Sequence, residues 1–327
     1  MRQLLPILFA GAVLSAPVVS SSQAQSDYPN RPVRLVVGFA PGGATDVVAR
    51  LLTGALSTEL GQSVVVENIA GASGLLGWRN VAGASPDGYT LLMAENAIAI
   101  RPGFKDMQPP FDPVTQLDAI ASVAHSPLAL CVAENVPANN VKELITLSKS
   151  SSKKLNYASA GLGSVAQLVW EVVSDGTKID AVTVPYRGGG PAMAGVLAGQ
   201  VELIMASSQV AKPYVEGKKI KALAVTGKQR SPALPDVPTL AEAGVKHVNV
   251  ELQFWFGVFA PKGVPNDVKE KLEKAVERAL ASPTIRERLA ALDITPDFRP
   301  GPALQVQLQS EIKNWSSFIE AKGIKAQ

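Results

Sequence analysis

The sequence predicts an α/β chain of two domains, each a mostly parallel sheet flanked by helices. Three observations carry that expectation. Short β-branched runs alternate with stretches of helical spacing along most of the chain, as parallel strands and their crossover helices do. Junctions of strand, glycine turn and helix start recur in separate regions, first at Pro41-Gly42-Gly43, later at Gly161-Leu162-Gly163-Ser164 and Gly188-Gly189-Gly190-Pro191. The 327 residues, 46% hydrophobic and 18% charged, suffice for two cores of ordinary size. A formal charge of +3 over this length points to neither nucleic acid nor a membrane surface, and no basic run is interleaved with aromatics.

The chain opens with a targeting segment. Arg2 supplies the positive start. Leu4 to Leu14 is apolar but interrupted by Pro6 and Gly11, and Ser22-Gln23-Ala24 offers small residues for cleavage after Ala24. Neither this stretch nor a later one is long enough to span a bilayer. The expected product is a soluble protein exported to a bacterial periplasm. Val33 to Val37 reads as a buried strand. Thr45 or Asp46 opens a helix with Val48, Leu51, Leu52, Leu56 and Leu60 at helical spacing. Ser63 to Glu67 is a second strand. Gly71-Ala72-Ser73-Gly74 leads into a helix to about Ala84, and Pro86-Asp87-Gly88 turns into a strand from Tyr89 to Met93, with Asn96 just beyond it. Pro102 to Pro113 reads as a loop. Ile120 to Ala124 and Leu128 to Ala133 are short strands around Ser126-Pro127, where the chain is expected to leave the first domain. Val141 to Ser148 is a helix capped by Asn139 or Asn140.

The second region begins near Leu155 with a strand that runs into the junction at 161–164 and a helix through Leu168, Val169 and Val172. Val182 to Tyr186 is a strand, followed by a helix with Met193, Val196 and Leu197. Gln200 to Met205 is a strand ending at Ala206-Ser207-Ser208 before another helix, and Ile220 to Val225 is a strand. Leu234-Pro235-Asp236-Val237-Pro238 is a stiff connection, and Thr239 with Glu242 makes a capping box for a short helix. Leu252 to Phe259 reads as a buried strand returning to the first domain. The remainder reads as helical: Asn266 to Ala281, Thr284 to Leu292 behind a Ser282 cap and Pro283, then Ala303 to Ala321.

The glycine junctions point to anion binding. The first amides of a helix lack intrahelical partners and carry the positive end of its dipole. Glycines let a ligand approach that backbone closely. Taken alone, Leu35 to Asp46 is equally an ordinary βα turn, since it matches neither the dinucleotide fingerprint nor the P-loop. Junctions from two domains would line a cleft with opposed amides and the hydroxyls of Thr45, Ser159, Ser164 and Ser207, which suits a carboxylate. Ligands of open α/β sheets bind beyond the carboxyl ends of the strands, where Phe39 to Asp46 and Asn96 would meet. Arg187 reads equally as a clamp for that carboxylate or as a surface residue. Catalysis lacks its signatures. His125 and His247 have no partner at metal-ligand spacing, and there is no Gly-x-Ser-x-Gly elbow. The single Cys131 can form no internal disulfide and reads as core. Asp46 is a better helix-start residue than general base, and Phe254 to Phe256 read as core packing ahead of ligand stacking. No cofactor and no metal is expected.

The run Tyr28-Pro29 through Arg31-Pro32-Val33-Arg34-Leu35-Val36-Val37, then Phe39-Ala40-Pro41-Gly42-Gly43 and Asp46, resembles the opening of the Bug-type receptors. These are the extracytoplasmic solute-binding proteins of tripartite tricarboxylate transporters. Gly71-Ala72-Ser73-Gly74, Pro86-Asp87-Gly88-Tyr89-Thr90-Leu91-Leu92, Val184-Pro185-Tyr186-Arg187-Gly188-Gly189-Gly190-Pro191-Ala192 and Leu234-Pro235-Asp236-Val237-Pro238-Thr239 are similar to further family motifs, in the family's order. The resemblance covers essentially the whole mature chain. It implies a two-domain periplasmic binding protein (Venus-flytrap) fold that closes about hinges, and a receptor rather than an enzyme. It implies that the loop of Phe39, Pro41, Gly42, Gly43, Thr45 and Asp46 holds a ligand carboxylate, largely through backbone groups and ordered water. Ser159, Gly163 and Ser164, with the strand end at Ala206 and Ser207, would contribute from the other domain. Asn96, Gln167 and Arg187 complete the expected ligand-binding set. The sequence departs from the family pattern twice. Histidine is common where Gln167 stands, and aspartate where Ala206 stands. Losing that acid removes a partner for a ligand ammonium group, so a non-amino carboxylate, a dicarboxylate or aromatic acid, is expected.

The expected organisation is a signal peptide over 1–24, one domain from 27–126 plus 250–327, and a second from 127–249, with hinges near 125–128 and 226–252. The expected partners are a small organic acid and the membrane subunits of a tripartite tricarboxylate-type transporter, with the receptor a monomer and no nucleic acid involved. Two rivals stay open: a ligand sensor feeding a signalling partner, and an exported enzyme acting on a carboxylate through Asp46 or His125.

Overall fold

The structure, a computed structural model, describes residues 28–105, 111–150, 154–161, 163–227, 229–245 and 254–325. The expected signal peptide, His247, Leu162 and the first residues of the strand expected from Leu252 lie outside them. In chain order the elements are β1 (Val33–Val37), α1 (Ala44–Leu60), β2 (Val64–Asn68), α2 (Leu75–Ala82), β3 (Thr90–Glu95), α3 (Ala97–Ile100), α4 (Pro113–Gln116), β4 (Leu117–Ser126), β5 (Leu128–Ala133), α5 (Val141–Ser150), β6 (Leu155–Ser159), α6 (Val165–Thr177), β7 (Ala181–Pro185), α7 (Gly189–Leu197), β8 (Leu203–Ser207), α8 (Ser208–Glu216), β9 (Ile220–Val225), β10 (Phe254–Pro261), α9 (Asn266–Ala281), α10 (Pro283–Ala291), β11 (Thr295–Pro300) and α11 (Gly301–Lys322).

The strands form two sheets flanked by helices, ordered β11-β4-β10-β3-β1-β2 and β7-β6-β8-β5-β9. The fold class is the expected one, and the pairing within it is mixed. β1 is parallel to β2 and β3, and β6 is parallel to β7 and β8. β10 and β5 run antiparallel to both of their neighbours. The reason is the route of the chain. β5 and β10 are the strands by which the chain enters one sheet from the other. Each starts at the facing edge and runs against neighbours that end there.

The passage from β4 to β5 takes only Pro127. It is tied on both sides. Leu128 N donates to Thr226 Oγ1 at 2.9 Å, and Thr226 N donates to Leu128 O at 2.7 Å. Ser208 N donates to Pro127 O at 3.0 Å, and Ser126 Oγ donates to Gln209 Oε1 at 2.9 Å.

Every residue of β10 is buried, and Phe256 and Phe259, like Trp78, are among the largest fully buried side chains. In the other sheet Tyr157 stacks on Trp170 with centroids 4.7 Å apart, and its hydroxyl donates to Ala166 O at 2.7 Å. Cys131 is fully buried, as expected.

Some local expectations change. β11 falls in the gap between the helices expected over Thr284 to Leu292 and Ala303 to Ala321, where no strand was expected, and is an edge strand. Its Pro296 and Pro300 erase the alternation, and an edge tolerates them because no ladder donor is needed on the outer side. Asn140 caps α5, its Oδ1 accepting from Glu143 N at 2.9 Å. Ser282 holds the cap position of α10 without a side-chain bond. Thr239 and Glu242 do make the reciprocal capping bonds, at 2.8 and 3.1 Å, but around a turn rather than a helix. β3 runs on beyond Met93 to Glu95, and α3 follows at once.

Candidate ligand-binding cleft

Between the facing edges of the sheets lies an inner chamber of about 50 Å³. Its wall includes the starts of four helices: Gly43 to Thr45 at α1, Ser164 to Ala166 at α6, Gly189 at α7 and Ser207 at α8. Phe39 and Ala160 separate it from an outer vestibule of about 530 Å³, lined by Gly71 to Gly74, Gly161, Tyr186 and Arg187.

The loop before α1 is shaped by Asp46. Its carboxylate accepts from Gly42 N at 3.0 Å, from Arg50 Nε at 3.0 Å and from Asn68 Nδ2 at 2.9 Å. Asn68 Nδ2 also donates to Phe39 O at 3.0 Å. Burial raises the Asp46 carboxyl, but the bonds from Arg50, Gly42 and Asn68 outweigh it and hold the group below its ordinary value. Asp46 does not line the chamber. It holds the backbone that does.

The junction before α6 is braced in the same way. Ser164 is the N-cap, its Oγ accepting from Gln167 N at 3.3 Å, while Gln167 Oε1 accepts from Gly163 N at 2.6 Å. This is a variant of the capping box. Ser159 spends its hydroxyl on Gly161, donating to the carbonyl at 2.9 Å and accepting from the amide at 3.2 Å. Gly163 has φ +75°, a left-handed conformation that favours glycine.

The junctions before α1 and α7 meet across the cleft. Ala40 N donates to Arg187 O at 3.3 Å. A Cβ on Gly190 would lie 2.5 Å from Pro41 O, and one on Gly161 would lie 2.8 Å from Ser73 Oγ. The cleft is therefore shut, and glycines permit the approach.

Of the residues expected to bind ligand, Phe39, Gly43, Thr45, Ser164, Ala206 and Ser207 line the inner chamber. Arg187 lines the vestibule, exposed, with no hydrogen-bond or ion-pair partner for its guanidinium among the described residues. Pro41 and Gly42 lie exposed on the lip. Ser159, Gly163 and Gln167 shape the α6 junction without lining the chamber. Asn96 does not line it either, and its Oδ1 accepts from Trp255 N at 2.7 Å.

Glu95 was missed, because the strand was expected to stop at Met93. It is 4% exposed, lines the chamber and takes a 3.4 Å hydrogen bond from Thr45 Oγ1 on its Oε2. Burial pushes its carboxyl up to about 8, against a smaller lowering by Thr45. The available signal was an acid at the carboxyl end of an apolar strand. Phe254, expected in the core, lines the chamber as well and packs edge-on to Phe256 at 5.0 Å. No cluster of His, Cys, Asp and Glu among the described residues could hold a metal ion. His125 lies 3.7 Å from Asp297, on the sheet edge with β11.

A family profile described as the tripartite tricarboxylate transporter family receptor, TctC, matches residues 48–324. Among solved structures, the periplasmic binding protein BugD is 35% identical with a TM-score of 0.87, covering 92% of this chain and 100% of its own. A Rhodopseudomonas palustris neighbour, solved with adipate, is 32% identical with a TM-score of 0.86, at 91% and 99% coverage. MatC of the same organism, solved with bound malate, is 34% identical with a TM-score of 0.81, at 89% and 99% coverage.

Proposed function

The chain belongs to the TctC family of tripartite tricarboxylate transporter receptors, and on that premise we propose that it captures a small dicarboxylate in the inner chamber and delivers it to the membrane subunits of such a transporter. The observation that carries this reading is the convergence of four helix starts on one chamber. Unpartnered amides and dipole ends favour an anion there. Hydrogen bonds to a charged group contribute about 1.5–3 kcal/mol each. A few of them reach the ~8 kcal/mol of micromolar binding once ordering costs are met. Bound malate in one structural neighbour and adipate in another support the dicarboxylate class over an aromatic acid. Ala206 offers no charge to a ligand ammonium group, which favours a non-amino acid.

On this reading Phe39, Gly43, Thr45, Ser164 and Ser207 touch the ligand, and Asp46, Ser159, Gly163 and Gln167 hold the backbone that does. The domains are 27–126 plus 250–327 and 127–249, turning about 125–128 and 226–252. The Ala40 to Arg187 bond lies across the mouth of the cleft, so this latch parts to admit the ligand. Residues 1–24 direct the protein to the periplasm, and no helix of the described residues is long and apolar enough to cross a membrane.

Native mass spectrometry of the purified mature protein, followed by thermal-shift screening of malate, succinate, adipate, benzoate and aspartate, tests the reading. A ligand at 100 times its dissociation constant should stabilise by about 2.7 kcal/mol. Binding without turnover of a dicarboxylate is expected. Aspartate binding tighter than succinate would overturn the non-amino assignment, and failure of every acid would overturn the carboxylate reading.

A further inference from the structure

The acid in the chamber wall has no role in the reading above, which treats the ligand's anion as held by helix starts and hydroxyls. We propose that Glu95 is a specificity-determining residue of that site: as an undissociated acid it donates a hydrogen bond to the ligand's carboxylate, so that ligand and one proton are bound together. The inference rests on the carboxylate reading and deepens it.

The placement carries the argument. Glu95 is the last residue of β3, opposite Phe256 of β10 in the antiparallel ladder. It is 4% exposed and lines the chamber. Its Oε2 takes the long 3.4 Å bond from Thr45, and its Oε1 has no protein partner among the described residues. A carboxyl whose one side-chain bond among the described residues is long, set in the wall of a chamber, has an oxygen that can meet a ligand or a water. Among the described residues, no other lining residue is ionisable.

The surroundings decide its charge. β10 presents Phe254 and Phe256. From the other sheet, α6, α7, β8 and α8 present apolar groups and the hydroxyls of Ser164 and Ser207 to the chamber. On α1 the nearest charge is Asp46, which is bound to Arg50, Gly42 and Asn68. Arg101, beyond α3, donates to Ala72 O. No cation among the described residues faces Glu95, and burial raises its carboxyl to about 8, so it is largely neutral at pH 7.

The helix starts select the ligand's sign. They favour an anion, and two carboxylates cannot both stay ionised in one dry chamber. One proton between them resolves this. The acid O–H donates to the carboxylate in a short, charge-assisted bond. No covalent bond changes, and the proton comes from solvent when Glu95 is ionised in the free protein. A ligand ammonium group would need Glu95 to lose its proton instead, while still facing the helix starts.

Calorimetry with malate and adipate as probes, on wild type and Glu95→Gln, tests this, because both probes stay fully ionised between pH 7 and 9. The amide keeps a donor but cannot titrate. Wild type should bind about tenfold more weakly at pH 9 than at pH 7, since the protonated fraction falls by that factor across a carboxyl of about 8. Glu95→Gln should show a flat profile, within about threefold of wild type at pH 7. At pH 8, titrations in two buffers of different ionisation enthalpy should read uptake of about half a proton per ligand for wild type and none for the variant. A probe that binds wild type with a pH profile the variant leaves unchanged overturns the role of Glu95 alone. Proton release on binding, with aspartate preferred, overturns it in favour of an ionised Glu95 paired with ammonium. Failure of both probes and of the other acids on wild type overturns the carboxylate reading, and the role of Glu95 with it.

Discussion

The amide of Ala40 donates to the carbonyl of Arg187 across the cleft at 3.3 Å, so the two sheets are latched by main chain. Beside it Gly190 comes so close to Pro41 that an added Cβ would lie 2.5 Å from the Pro41 carbonyl oxygen. Gly190→Ala should therefore hold the cleft ajar. The substitution sits near the start of α7, where alanine is a better helix former by about 1 kcal/mol, so the fold should survive. Affinity for the best-bound acid should fall tenfold or more, with a larger radius of gyration in the presence of ligand by X-ray scattering. Affinity within twofold of wild type would show that the latch does not govern binding.

Asp46 is a positioning residue, and Asp46→Asn should weaken both stability and ligand binding. Its carboxyl lies below the ordinary 3.8 in the folded chain. The stability it contributes is thus fully present above that ordinary value and lost as pH falls through the depressed one. Urea unfolding should separate wild type from the variant at pH 7, and the gap should shrink in strong acid. A gap of constant size would assign the effect to shape alone.

Ser164→Ala removes the N-cap of α6 and one hydroxyl from the chamber wall. The cap costs about 1 kcal/mol of stability. A lost hydrogen bond to a charged ligand should weaken binding about tenfold or more. Calorimetry that found unchanged affinity would take the α6 start out of the site.

Glu95 makes stability fall as pH rises. Its folded value of about 8 stands above the ordinary 4.5, so the native state holds a proton that the unfolded state has released between those values. Glu95→Gln should leave ligand-free stability nearly unchanged at pH 4 and raise it, relative to wild type, on the order of 4 kcal/mol at pH 8. Denaturant melts at both pH values measure this directly. A variant advantage that does not grow with pH would place the carboxyl in contact with solvent.

Cys131 is fully buried in β5, and burial pushes its thiol to about 12. A thiol reagent at pH 8 should therefore label it only at the rate of unfolding, and stabilisation by ligand should slow labelling further. Fast labelling of the native protein would show that β5 opens locally.

Several strands were legible because apolar runs with sharp boundaries have few alternative readings. Val33–Val37 and Ile220–Val225 match the structure at both ends, and so does Asn266–Ala281 among the helices. β11 was illegible for the opposite reason. Thr-Pro-Asp-Phe-Arg-Pro has no alternation, and its pairing is supplied by β4, far off in sequence. The glycine junctions marked the cleft but not which side chains turn into it. Thr45 and Asp46 are adjacent, yet one lines the chamber and the other braces the loop. At the end of β3 the same ambiguity misdirected attention to Asn96, which serves β10, and away from Glu95.

Ser208 N donates to the carbonyl of Pro127, the single residue between β4 and β5. That bond gives the chamber wall a short lever arm. In a rotation about Pro127, Ser207 and the start of α8 stay near the pivot, while Arg187 to Gly190, beyond the edge strand β7, travel farther. On the proposed reading, an arriving acid would meet the wall near the pivot first and the travelling lip last, so the rim that seals the chamber need not take part in initial capture.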